Sequence, residues 1–179
     1  VCSSDLPDMS GYRLMSGFDL PPLMLTNKES EALIVAIRLL KTWGGESLSR
    51  ELESAQEKVL AILPEESRRK AEQTRIYAPD FCMQSHSRSD FDRIHQAISA
   101  QQVLALHYRD EAGQLSKREV QPLGLFFWGE RWLLAAWCER RDDYRCFRLD
   151  RCLNIVATER RFSESADRSL ADFLRKVRQ

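Results

Sequence analysis

The sequence predicts an α+β fold in which an N-terminal helical hairpin precedes a small, highly bent antiparallel β-barrel with flanking helices. Two observations carry this. The apolar period runs at three to four residues from Thr26 to Leu63 and drops to two from Val103 onward. The second half then holds five short apolar runs at regular spacing, each ended by turn-forming residues, as a small barrel requires.

The helical part follows from residue chemistry. Thr26 and Glu29 have capping-box spacing, and Leu33, Ile37 and Leu40 fall on one face beside Ala32, Ala36, Leu39 and Trp43. Gly44 and Gly45 end that helix. Leu48, Leu52, Ala55, Val59 and Ile62 then repeat at helical spacing until Pro64 stops the pattern. Neither helix buries its stripe alone, so the pair needs a third element or a second copy of the chain, and a homodimer is expected. Glu65 to Gln73 reads as a further short helix, and a domain boundary is placed between residues 78 and 88.

After that boundary Ser89 caps a short helix with Phe91, Ile94 and Ile98 inward. The strands are VLALHYR, KREVQPLGLFFW, RWLLAAWCE, YRCFRLD and LNIVATERRF, with turns near Gly113, at Gly129-Glu130 and over Arg140 to Asp143. Gly129-Glu130 suits a two-residue type II′ hairpin. Leu170 to Val177 forms a last amphipathic helix capping one end. The organisation expected is thus 1–10 a scar or disordered, without periodicity or capping logic, 11–25 a strand-like and Pro-stiffened lead-in that reads as cut, 26–88 helical, and 89–179 the barrel with its helices.

Composition excludes several classes. A chain of 179 residues with 43% apolar content supports one substantial core and a small satellite. Lys plus Arg and Asp plus Glu number 27 each, so no net field announces nucleic acid or a membrane, and any electrostatic site is local. No apolar run reaches the roughly 18 residues of a bilayer span, which makes the cytoplasm the default location. Five cysteines without a Cys-x-x-Cys pair indicate neither a disulfide framework nor a zinc site, and no cofactor is expected. No Gly-rich phosphate loop, His-x-x-x-His pair or nucleophile elbow is present, so catalysis is not expected.

The arginines ask for an explanation. On YRCFRLDR, alternation puts Phe147 and Leu149 on one face and Cys146, Arg148 and Asp150 on the other. Arg151 lies at the strand end, and Arg118 is placed to approach across the sheet. Converging guanidinium groups would make an anion site, because their planar donors match phosphate oxygens. Ordinary surface pairing with Asp150, Glu119, Asp142 and Asp143 is the competing reading, each pair contributing about 0 to 1 kcal/mol.

The run REVQPLGLFFWGERWLLAAWCERRDDYRCFRLDR resembles the core of a WYL domain, the Sm-like or SH3-like barrel of bacterial transcription regulators, especially those of the YafY type. The resemblance rests on Pro122-Leu123 after a basic residue, on Trp132-Leu133-Leu134, and on Phe147-Arg148-Leu149-Asp150-Arg151, with Leu133 standing where the family has its tyrosine. GYRLMSGFDLPPLMLT is similar to the linker of the same regulators, where Gly-Tyr-Arg-Leu closes the wing of a helix-turn-helix domain. It implies DNA-reading helices ahead of residue 11, operator DNA as their partner, and a barrel that binds a nucleic-acid or nucleotide-like effector. Carried over by position, Arg118, Arg148 and Arg151 would grip phosphate, and Trp132 and Tyr108 would stack or frame the pocket, with core packing as the alternative for Trp132. A protein-interaction or dimerisation module without a nucleic-acid ligand is the rival reading, since the helical hairpin offers a face and small barrels bind peptides.

Overall fold

A computed structural model describes residues 25–73, 85–129 and 131–177. The readings of residues 1–24, and most of the boundary segment, lie outside the described residues.

Helix α1 (Asn27–Trp43) begins with the expected capping box: the Thr26 hydroxyl accepts from Glu29 N–H and the Glu29 carboxylate accepts from Thr26 N–H. It ends at Gly44, whose N–H returns to Leu40 O. Helices α2 (Glu46–Ile62) and α3 (Glu65–Glu72) follow. The buried side of α1 is set by Ser30, Ile34 and Ile37, while Leu33, Leu39 and Leu40 are exposed. This is one residue off the expected face. So many positions of α1 are apolar that the pattern alone does not choose, and packing on α2 and α3 does. The third element that α2 needed is α4 (Ser85–Ser99), yet α2 buries no residue fully and Ile62 stays 57% exposed.

The strands are β1 (Gln102–Arg109), β2 (Leu115–Trp128), β3 (Arg131–Cys138), β4 (Asp143–Arg148) and β5 (Cys152–Arg161), paired antiparallel in the order β4-β3-β2-β1-β5. Gly129 ends β2 with φ of 54°, the positive value that the first residue of the expected two-residue turn needs, while the second, at position 130, lies outside the described residues. The expected closed barrel is not formed: the sheet is open, with β4 and β5 as its edges. Only Leu149–Arg151, one 3-10 turn, separates these strands in sequence, so the sheet curls until its edges approach at one corner. There the groups that would close it are taken by side chains. Arg148 N–H donates to the Tyr108 hydroxyl at 3.4 Å, and Ile155 O accepts from Arg93 Nη1 at 2.7 Å.

Period-two alternation makes two cores. On the inner face Leu104, Leu106, Val120, Leu134, Ala136, Cys138, Phe147 and Ile155 pack under Phe91, Ile94 and Ala97 of α4, and Leu149 joins them from its turn. On the outer face Val103, Leu123, Ala135, Trp137, Tyr144 and Phe162 are covered by Phe173 of α5 (Leu170–Val177). Among the described residues no helix is long and apolar enough to cross a membrane.

Candidate anion site

The sheet separates the arginines that the sequence had brought together. Arg118 of β2 pairs in register with Leu106, so its side chain belongs to the inner face. Arg148 pairs with Leu133 and follows Phe147, so its side chain leaves from the outer face. There Asp150 holds it with two bonds, Nε–Oδ1 at 3.0 Å and Nη2–Oδ2 at 2.5 Å. That pairing, followed by weaker effects of Arg131 and Arg151, lowers the Asp150 carboxyl pKa. Arg151 reaches Glu111 at 3.4 Å. The Arg148–Asp150 pair is one of the surface pairs of the competing reading, whereas Glu111 was not among the partners it named; both carboxylates are open to water.

Trp132 is likewise occupied. Its indole N–H donates to Trp43 O at 2.6 Å, and its ring packs edge-on against Phe91 at 4.9 Å and against Phe127 at 5.2 Å. It packs against the inner core, the role given above as the alternative to stacking.

Arg118 and Tyr108 do meet, and in a different setting. They line a cavity of about 380 Å³ at the end of the inner face, together with Arg141, Arg145, Asp110, Phe147, Cys138 and Cys146. Tyr108 stands edge-on to Phe147 at 5.1 Å and is fixed by the Arg148 N–H. Arg118 Nε donates to the Ser116 hydroxyl at 3.1 Å, whereas its Nη1 is buried without a hydrogen-bond partner among the described residues. Burying an unpaired guanidinium nitrogen costs about 1 to 3 kcal/mol, and more for a charge, so this atom is the unsatisfied feature of the site. Arg145 is exposed and leans on Asp143 at 3.3 Å, and Arg141 makes no ion pair among the described residues. Cys146 pairs in register with Ala135 and so belongs to the outer face, where partial desolvation raises its thiol pKa.

Arg145 and Arg141 were not singled out from the sequence. The signal for Arg145 was available: it lies two residues from Phe147 and therefore shares the inner face. Arg141 belongs to a turn, where alternation says nothing about direction.

Residues 89–156 match the model of the WYL domain. Among solved structures the chain is similar to Proteasome accessory factor B/C (PafBC) of Arthrobacter aurescens, at 24% identity and a TM-score of 0.44, over 82% of this chain. The chain spans 22% of the length of that protein.

Proposed function

We propose that the chain is the effector-sensing part of a bacterial DNA-binding transcriptional regulator of the YafY type. Its curled sheet, as a WYL module, binds a nucleic-acid or nucleotide-like anion. The observation that carries the reading is the buried, unpartnered Arg118 Nη1 in a cavity shared with Arg141, Arg145 and the Tyr108 ring. A phosphate oxygen would supply the missing acceptor, and Tyr108 would frame the sugar or base. The role is binding. Arg148 and Arg151 would act at the rim, after giving up Asp150 and Glu111, and Trp132 would hold the sheet to the helices.

The test is fluorescence anisotropy of a labelled single-stranded oligonucleotide titrated with the protein, Arg118→Ala, Arg145→Ala and the Arg148→Ala/Arg151→Ala pair. Saturable binding that weakens with salt and falls at least tenfold in Arg118→Ala is expected, with a smaller loss in the rim pair. Equal binding by all four proteins would remove the cavity as the site.

A second reading, a dimerisation or protein-interaction module, has its own observation: Leu33, Leu39, Leu40 and Ile62 are exposed on α1 and α2. It predicts self-association that weakens in Leu40→Glu and is indifferent to oligonucleotide.

A further inference from the structure

We propose that the turn between α1 and α2 is clasped to the sheet module by reciprocal helix capping, and that this clasp sets the angle at which the helical hairpin stands on the sheet. The last carbonyls of a helix and its first N–H groups have no partner within the helix. Here both sets are served from the other module. Trp43 O at the end of α1 accepts from Trp132 Nε1 of β3 at 2.6 Å, and Thr42 O accepts from Arg88 Nη2 of α4 at 3.4 Å. In the opposite direction Asp92 of α4 accepts the Ser47 N–H at 2.9 Å, in the first turn of α2. The N-cap residue of α2 is Gly45, which has no side chain to do this. A carboxylate at that end also meets the positive pole of the α2 dipole.

Gly45 is required by the same contact. A Cβ there would overlap the Asp92 carboxylate and stand 2.8 Å from the Phe91 ring. Apolar contacts seal the joint, with the Trp43 ring 5.0 Å from Phe127 and Leu48 packed on the inner core. Away from it, α1 packs on α2 and α3. Among the described residues the hairpin thus meets the sheet module at its turn, as a lever meets its pivot. Helix α4 carries Arg88, Phe91 and Asp92 on the clasp side, and its Phe91, Ile94 and Ala97 share the inner core with Phe147, which also lines the basic cavity. That anion binding shifts the lever is a second step resting on the sensing reading.

Hydrogen exchange of the whole chain tests the clasp without a ligand. In Trp132→Phe, which keeps an aromatic ring and loses the donor, and in Asp92→Ala, exchange of peptides spanning residues 40–50 is expected to rise about five- to tenfold, as loss of one hydrogen bond implies. Peptides of β2 and the far half of β3 keep their protection. Gly45→Ala should give the larger rise. Unchanged exchange over residues 40–50, or equal loss in the strands, would overturn the clasp. Repeating the experiment with a single-stranded oligonucleotide separates the two claims. If the wild type binds, its hairpin exchange should change on binding and that of Trp132→Phe should not; the same change in both would overturn the coupling. If anisotropy shows no binding, the sensing reading and the coupling fall, and the clasp is decided by the unliganded exchange.

Discussion

At the scale of residues, Arg118 couples stability and function with opposite signs. Its unpartnered nitrogen penalises the unliganded fold, and the same atom is the proposed anion donor. Arg118→Met should therefore raise the melting temperature by about 2–4 °C, the response to a gain near 1 kcal/mol in a chain of this size, while abolishing oligonucleotide binding. A lowered melting temperature with retained binding would mean that Arg118 is a structural cation. Asp172 makes the contrasting case, buried on α5 and fully satisfied. Lys176 first, then Arg175 and the Tyr144 hydroxyl hold its carboxyl well below the usual range. A carboxyl with a depressed folded pKa contributes stability above its unfolded value, and that contribution is lost as pH falls below about 4. Asp172→Asn should accordingly flatten the acid limb of melting temperature against pH. Tyr144, pushed up to about 12 chiefly by burial, works in reverse: its contribution is complete below about pH 10 and lost on the way to 12. Neither partner was legible from sequence, because the Tyr144–Asp172 bond joins residues 28 positions apart.

Elements were more legible than contacts. All five strands and the C-terminal helix stand where period and turn residues put them, because a half-buried strand declares itself locally. What failed was the fate of FRLDR. Read as strand, it would have carried β4 toward closure; instead Leu149–Arg151 turns and Leu149 enters the inner core, a long-range contact that local alternation does not announce. The helical hairpin shows the same limit, since its buried face was chosen by α2 and α3. Turn chemistry yields a prediction at this scale. Gly129 has φ of 54° and no atoms within reach of an added Cβ, so Gly129→Ala tests backbone strain alone. It should destabilise by about 1 to 2 kcal/mol, read as a lower denaturant midpoint with unchanged slope. An unchanged midpoint would show that the turn re-forms in another type.

For the whole molecule, charge balance decides how the proposed binding must respond to salt. With 27 cationic and 27 acidic side chains there is no net field to gather phosphates at a distance, so any salt dependence belongs to the groups in contact. Arg118, Arg141 and Arg145 line the cavity, and each phosphate contact to a single strand contributes about 0.7 to the slope of log K against log salt. A slope near −2 is therefore expected for the wild-type protein, shrinking by about 0.7 in Arg145→Ala, whose exposed side chain can be removed without disturbing the core. The rim pair Arg148→Ala/Arg151→Ala should change the slope less than its two charges suggest, because Asp150 and Glu111 already neutralise them. Were the rim pair to remove the greater part of the slope, the ligand would lie across the outer face of the sheet, and Arg118 would be left with a structural role.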